Sequence, residues 1–496
     1  MSSDRVSRAG LLAGLDRRYV WHPFTQMRDW LRANPTVIVE GRGPCVMDAR
    51  GRRYLDANSS IWTNLHGHQQ PRITRAMIRQ LKKIAHSSAL GLANEPASLL
   101  AEKLVKLAPK SLKKVFYSDD GSTAIEAALK MAFQFWRQQT VRRAAERNPE
   151  GFRGAPHRFD SRRSFLALEN AYHGDTVGAM SLGGMDVFHD TYRPLMFRTS
   201  KVMAPYCYRC PFNRAKPEKT DARNHRKCNW ECISLVEQKL ESEAGGRKSR
   251  VTRHTSRVTR LYAAAVIEPL VQGAAGMITH PAGYLKKFSD LCRQHDVLLI
   301  ADEVMTGFGR TGTLFACEKE KVLPDFLCLA KGLTGGYLPL ATTLTSQRVF
   351  DAFLGEYAER KTFFHGHSYA ANPLGCSAAL ANLETFDREK TLKTIAARSA
   401  ELETMLQRFW KLPHVGDVRQ VGLVAGVELV RNWKTHEPYR WEDRMGARVC
   451  EEAKKQGVLT RPIGNVLVIM PPYCITAAQL EKICDVLKRS IQTVCN

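Results

Sequence analysis

Three places in this chain carry residue types that can act together. Gly121-Ser122 follows the short apolar run Val115–Tyr117 and heads an amphipathic stretch. Backbone N–H groups and a hydroxyl there point outward, as a phosphate requires. Asp302 closes the run Val297–Ala301, and Lys331 closes the run Phe326–Ala330. Charged residues at the tips of buried strands cost desolvation energy unless they are paired. Taken singly, each reads as a helix cap or a structural salt bridge. Together they admit a sharper chemistry. A lysine amine can form an imine with an aldehyde, and a carboxylate can keep a pyridine nitrogen protonated. A phosphate cradle, an acid and an amine in that order are the parts of a pyridoxal 5′-phosphate site.

The elements that must position these groups are visible as short apolar runs alternating with longer amphipathic ones. Val115–Tyr117, Phe165–Leu168, Ala263–Ile267, Val297–Ala301 and Phe326–Ala330 read as apolar runs, β-branched or aliphatic on both parities. That pattern predicts strands of a parallel sheet covered on both faces. Thr123–Trp136 and Ala282–His295 read as helices between them, the first opening on a capping box of Thr123 and Glu126. The fold class is therefore α/β, with ligands expected at the carboxyl ends of the strands. Both chain ends read as mixed α/β, with the patterns Val418–Val430 and Val458–Met470. The expected division is a smaller domain from residues 1–59 and 386–496 around a large domain of residues 60–385, which carries a basic, cysteine-containing insertion at about 207–260.

A length of 496 residues, with 44% hydrophobic and 25% charged residues, excludes a disordered chain, a collagen-like repeat and a disulfide miniprotein. No apolar run reaches the roughly 20 residues that span a bilayer, and Met1–Gly10 has no signal-peptide core. These features predict a cytoplasmic protein without a membrane partner. The formal charge of +25 is concentrated: residues 209–260 hold fourteen Lys and Arg against six Asp and Glu, and residues 137–163 hold eight Arg against three acids. No aromatic stacking platform accompanies that charge, so it reads as a solvated basic surface with no nucleic-acid partner. Within it, Cys207-x2-Cys210 precedes Cys228-x3-Cys232, with His225 nearby. Two close pairs separated by seventeen residues read either as a structural metal knuckle or as four free thiols in a loop.

The wording around the charged positions is more specific than their spacing. Ala301-Asp-Glu-Val-Met-Thr-Gly-Phe-Gly-Arg-Thr-Gly312, Asp325-Phe-Leu-Cys-Leu-Ala-Lys-Gly-Leu-Thr-Gly-Gly336, Glu268-Pro269 with Gln272-Gly273, and Tyr172-His-Gly-Asp175 resemble class III aminotransferases of fold type I. The resemblance runs from about residue 18 to the C-terminus. It implies pyridoxal 5′-phosphate, a large domain on a mostly parallel seven-stranded sheet, and a homodimer with sites at its interface. Trp21-His-Pro-Phe-Thr-Gln-Met27, Ser59-Ser-Ile-Trp-Thr-Asn-Leu-His-Gly-His68, Phe364-His-Gly-His-Ser-Tyr369, Thr460-Arg-Pro-Ile-Gly464 and Met470-Pro-Pro-Tyr473 resemble the biotin-synthesis branch of that family. That branch transfers an amino group to 8-amino-7-oxononanoate, giving 7,8-diaminononanoate. The alternative is an ω-aminotransferase of the ornithine or 4-aminobutyrate type.

Carried over by position, the resemblance implies Lys331 as the cofactor-bonding lysine and proton shuttle, and Asp302 as the pyridinium partner. It implies Gly121 and Ser122 as the phosphate cradle, and His367 and Ser368 as a phosphate-binding pair reaching in from the neighbouring subunit. Tyr172 lies against the cofactor ring in this reading. Phe24, Trp62 and Gly366 belong to the substrate wall, and Arg461 grips the substrate carboxylate, a task that suits a planar guanidinium. In isolation Tyr172 and Trp62 read as core or interface aromatics and Arg461 as a surface arginine. His66 with His68, and His365 with His367, are read as structural or phosphate contacts rather than metal ligands. The branch that takes its amino group from S-adenosylmethionine typically has Tyr, a Trp-Trp pair, Pro-Thr and Tyr where this chain has Phe24, Ile61-Trp62, His367-Ser368 and Val468. Fewer aromatic faces suit a sulfonium cation less well. S-adenosylmethionine stands as the default donor, with lysine as the alternative.

Overall fold

The structure, a computed structural model, describes residues 3–147, 162–242 and 262–496. Residues 148–161 and 243–261, which hold much of the two basic stretches, lie outside the described residues. The central sheet has seven strands: β1 (Leu112–Ser118), β2 (Ser164–Leu168), β3 (Ser200–Val202), β4 (Tyr262–Ile267), β5 (Leu298–Asp302), β6 (Phe326–Leu329) and β7 (Ala341–Ser346). Their order is β1-β7-β6-β5-β4-β2-β3. Only β7 runs antiparallel to its neighbours.

Side chains on β4 alternate between two packed faces, as the two-residue pleat dictates. Ala264 and Val266 join Phe165, Ile300 and Phe326 beneath Ile125, Ala128, Ala132 and Phe135 of the helix Gly121–Arg147. Ala265 and Ile267 join Leu299 and Leu327 against Leu285 and Phe288 of the helix Tyr284–Gln294. Phe288 is fully buried, so its truncation to Ala would cost about 3–5 kcal/mol. Trp136 donates its indole N–H to Ala263 O at 2.8 Å, which satisfies its polar edge inside the apolar layer.

Two strands escape the sequence pattern. β3 is only three residues long and carries Lys201 at its centre. β7 reads as polar, Ala-Thr-Thr-Leu-Thr-Ser, yet is buried throughout. Two of its hydroxyls find backbone acceptors: Thr343 donates to Ala124 O at 2.8 Å and Thr345 to Asp325 O at 3.2 Å. The expected capping box is also corrected. Asp120 caps the helix by accepting from Thr123 N at 3.0 Å, while the Thr123 hydroxyl accepts from the Asp119 and Asp120 N–H groups. Glu126 turns away and accepts from Gly178 N and Ala179 N, because those amides begin a short helix with no intrahelical partner.

The two chain ends meet in one sheet. Ile38–Arg42, Cys45–Asp48 and Arg53–Asp56 form antiparallel neighbours, and Val458–Leu459 adds in parallel beside Leu55 and Asp56. A second sheet holds the hairpin Val415–Val421 and Val424–Asn432 with Val466–Ile469 and Pro462–Ile463. This arrangement carries Arg461 to the segment between residues 38 and 61.

Candidate active site

Asp302 is the last residue of β5, and Lys331 comes two residues after β6, its parallel neighbour. Both side chains therefore reach the same edge of the sheet. The N-terminus of the helix Gly121–Arg147 reaches it after β1. One cavity of about 550 Å³, its open mouth included, is lined by Trp62, Gly121, Ser122, Tyr172, His173, Gly174, Glu268, Asp302, Met305 and Lys331, among others.

Asp302 is buried, with Oδ2 at 2.6 Å from His173 Nδ1 and Oδ1 accepting from Val304 N at 3.1 Å. Glu268 lies close by and spends both oxygens on backbone, accepting from Tyr172 N at 3.1 Å and Gly273 N at 2.8 Å. Burial pushes the Glu268 carboxyl up to about 7, and the Asp302 charge adds to the rise. Burial likewise pulls the Lys331 amine below the ordinary lysine range, against the raising influence of Asp302 and Glu268. Lys331 Nζ lies 4.8 Å from the centre of the Trp62 ring.

Trp62 owes its place to an unusual turn. Ser59, Ser60, Ile61 and Trp62 all have positive φ, between 46° and 68°. Such a left-handed turn costs about 1–2 kcal/mol per residue. Asp56 braces it, accepting from Ser60 N at 3.1 Å and the Ser60 hydroxyl at 2.8 Å, and Trp62 Nε1 donates to Asn58 Oδ1 at 2.8 Å. Buried Arg310 closes it from below, donating to Pro471 O at 3.0 Å, Asn64 O at 3.0 Å and Trp62 O at 3.3 Å.

These residues fit pyridoxal phosphate. A Cβ on Gly121 would stand 2.6 Å from Val304 Cγ1, so glycine keeps the helix N-terminus open to the cavity. The Ser122 hydroxyl, which accepts from Asp175 N at 3.3 Å, lies beside those free amides. A carboxylate and an amine occupy the same cavity. Tyr172 forms its wall, donating to Asp175 Oδ2 at 2.7 Å and stacking on His189 with ring centres 6.5 Å apart.

A sheet of this order with this edge defines a fold-type-I pyridoxal-phosphate transferase. The family model of aminotransferase class III matches residues 28–491. The chain is 49% identical, over 97% of each chain, to the adenosylmethionine-8-amino-7-oxononanoate aminotransferase of Geobacter sulfurreducens. It superposes on the crystal structure of the Methanocaldococcus jannaschii protein of that name with a TM-score of 0.85, at 39% identity, covering 98% of this chain and 99% of the other. An amine transaminase from an uncultivated Pseudomonas species, solved with pyridoxal phosphate bound, gives 0.83 at 32% identity, covering 96% and 99%. The chain belongs to the class-III aminotransferases, and is a pyridoxal-phosphate-dependent transaminase.

The cavity thus gathers Gly121, Ser122, Trp62, Tyr172, Asp302 and Lys331. Arg461 lies outside it, in a second cavity with Glu40, Asn58, Ser60 and Ile61. Phe24 links the two: its ring lies 5.9 Å from the Arg461 guanidinium and 5.2 Å from Phe188, which in turn meets Tyr172 at 6.2 Å. Val468 is buried in its strand and does not line the Arg461 cavity. His367 lies against Asp119, with Nδ1 at 3.1 Å from Oδ2, while Gly366 and Ser368 are exposed beside it. None of the three lines the Lys331 cavity. Cys207, Cys210, Cys228 and Cys232 all line one small cavity, although no group of three or more His, Cys, Asp or Glu among the described residues stands arranged to hold a metal. Sequence reasoning missed His173 and Glu268 as site residues; both lie inside phrases that carried the family resemblance.

Proposed function

We propose that this transaminase converts 8-amino-7-oxononanoate to 7,8-diaminononanoate in biotin synthesis, with S-adenosylmethionine as amino donor and lysine as the alternative. The observation that carries the reading is the single cavity shared by Lys331, Asp302 and the helix N-terminus at Gly121-Ser122. The names of the relatives from Geobacter sulfurreducens and Methanocaldococcus jannaschii support the acceptor and the donor.

Bound pyridoxal phosphate supplies the electron sink for a carbanion at the amine carbon and carries the amino group between the two half-reactions. Gly121 and Ser122 would hold its phosphate, Tyr172 its ring face and Asp302 its ring nitrogen. His173 and Val304 N fix the Asp302 carboxylate through one oxygen each. Lys331 Nζ would move the substrate proton, a task that suits an amine whose basicity burial lowers. Trp62 shields that amine on one side. Arg461, exposed beside Phe24, would meet the carboxylate of the acceptor with two parallel hydrogen bonds.

The reading includes a homodimer in the cytoplasm. Trp21, Leu90, Phe364 and Tyr369 are large apolar side chains left exposed on one subunit, and a second copy would cover them and bring in its own His367 and Ser368. No described helix is long and apolar enough to cross a membrane. The test is incubation of the holoenzyme with 8-amino-7-oxononanoate and either S-adenosylmethionine or lysine, with diaminononanoate as the readout. Product with one donor is expected. A protein that retains cofactor and transaminates only ω-amino acids such as ornithine or 4-aminobutyrate would overturn the assignment.

A further inference from the structure

The segment from Cys207 to Ser242 takes no part in the chemistry above. It begins on a short turn, Cys207–Arg209, and ends in the helix Glu231–Ser242. Cys207 and Cys210 come from the turn, Cys228 from the extended stretch before the helix, and Cys232 from the helix's second position. All four face one cavity, closed by Pro205, Asn213, Arg226, Trp230 and Pro281. Four thiols from two short stretches are therefore neighbours in space although seventeen residues separate the pairs.

Two further features point the same way. Asn213 ties the stretches together: its Nδ2 donates to Cys207 O at 3.1 Å and its Oδ1 accepts from Lys227 N at 3.0 Å, while Arg214 N donates to Lys227 O at 3.0 Å. The pairs are thus held face to face by backbone contacts that do not depend on the sulfurs. A cation also attends the cluster. Arg226 Nη1 lies 3.1 Å from Cys228 Sγ, with its guanidinium 4.1 Å from the centre of the Trp230 ring. A guanidinium in that place would face the net negative charge of a tetrathiolate site.

We propose that Cys207, Cys210, Cys228 and Cys232 form a tetrathiolate site for one zinc ion. Binding exchanges four S–H protons for four Zn–S bonds, leaving a net charge of −2 that Arg226 faces. No electron changes hands. The four thiols do not stand around a common point in this structure, so binding would turn the side chains toward the shared cavity while Asn213 holds the two stretches together. The ion is structural. The segment it ties docks on the hairpin Val415–Asn432, where Arg209 donates to Glu428 at 2.8 Å and Arg223 to Gln420 O at 2.9 Å. Buried Arg419 completes that contact between Asp417 and Glu428 at 2.7 and 2.8 Å.

The test is metal analysis of the full-length holoenzyme purified without chelator from zinc- and iron-supplemented medium. About one zinc per chain is expected. Cys210→Ser and Cys228→Ser should each lower it at least about tenfold while bound pyridoxal phosphate per chain stays constant, and Cys474→Ser, at an exposed thiol outside the cluster, should leave it unchanged. Should the serine variants fail to fold, the wild type still decides. Chelation should then make four additional thiols per chain titratable and lower the thermal midpoint, and added zinc should reverse both. Zinc below about a tenth of an equivalent after challenge with excess ion overturns the proposal. So do a disulfide within the cluster, or iron with acid-labile sulfide.

Discussion

His173 Nδ1 and Asp302 Oδ2 lie 2.6 Å apart, both buried, at positions 129 residues apart in the chain. The imidazole fixes one carboxylate oxygen and the Val304 amide the other, so Asp302 cannot swing away from the cavity. Removing one partner of a buried, charge-assisted hydrogen bond costs about 1.5–3 kcal/mol. His173→Ala should therefore lower kcat/KM about ten- to hundredfold and weaken cofactor retention, with the circular dichroism spectrum unchanged. His173→Gln, which keeps a donor, should recover part of the loss. Equal kinetics for wild type and His173→Ala would remove the positioning role.

Lys331 differs in kind, because its amine is consumed in bonding and proton transfer rather than in support. Lys331→Ala should lose the visible absorbance of covalently held pyridoxal phosphate. Turnover should fall by about 10²–10⁴, the usual contribution of a general acid–base group. Stability should hold or rise, since a desolvated amine is removed from the cavity. Absorbance titration and thermal melting separate these effects, and normal turnover in this variant would remove the lysine from the mechanism.

Four strands of the sheet are legible in the sequence because mostly aliphatic residues fill both of their faces, and β1 is legible only over Val115–Tyr117, since Lys113 and Lys114 before it are exposed. β7 is not legible, since nothing in Ala-Thr-Thr-Leu-Thr-Ser announces that Ala124 O and Asp325 O will take the threonine hydroxyls. The site shows the same divide. Lys331, Asp302 and Gly121 are legible because strand ends and a helix start place them. His173 is not, because its partner lies on another strand and only the tertiary fold joins them. Glu126 misleads for the opposite reason: its spacing from Thr123 suits a local cap, but Gly178 N and Ala179 N compete for the same oxygen and win.

Arg461 is exposed at the mouth of its cavity and its guanidinium lies 5.9 Å from the Phe24 ring. An arginine that only grips a remote carboxylate contributes to binding equally before and during reaction. Arg461→Leu should then raise KM for 8-amino-7-oxononanoate about ten- to hundredfold, equivalent to about 1.5–3 kcal/mol, with kcat nearly unchanged. The KM for the donor should move less if the donor carboxylate is held elsewhere. A fall in kcat alone would contradict this division of labour.

Glu303 is fully buried and accepts from Ala316 N at 2.6 Å and Cys317 N at 2.8 Å. Burial nevertheless pushes its carboxyl up to about 7 from an ordinary 4.5. Between those values the folded state binds a proton that the unfolded state does not, so this residue's contribution to stability falls as pH rises through the window. Glu303→Gln has no such proton. Relative to wild type, the variant should gain up to about 1.4 kcal/mol for each pH unit between about 4.5 and 7, and nothing further above 7. Denaturant melts of both proteins at several pH values test this, and a constant difference across the range would contradict it.

Gly174 tests the phosphate cradle without touching a charged group. Its φ of +128° suits glycine, and a Cβ there would stand 2.1 Å from Ser122 Oγ and 2.8 Å from Ser122 Cα. The second contact is with backbone, so no side-chain rotation relieves it. In Gly174→Ala the loop after Tyr172 must move away from the helix N-terminus, carrying with it the Asp175 amide that donates to Ser122. Strain of this kind costs about 1–3 kcal/mol, equivalent to about five- to hundredfold in the dissociation constant of pyridoxal phosphate. Gly91→Ala is the control, because its φ of +73° imposes similar backbone strain with no atom within 4 Å of the added carbon. Weaker cofactor binding in Gly174→Ala but not in Gly91→Ala would place the effect at Ser122. Equal binding in both would mean that the phosphate is held elsewhere.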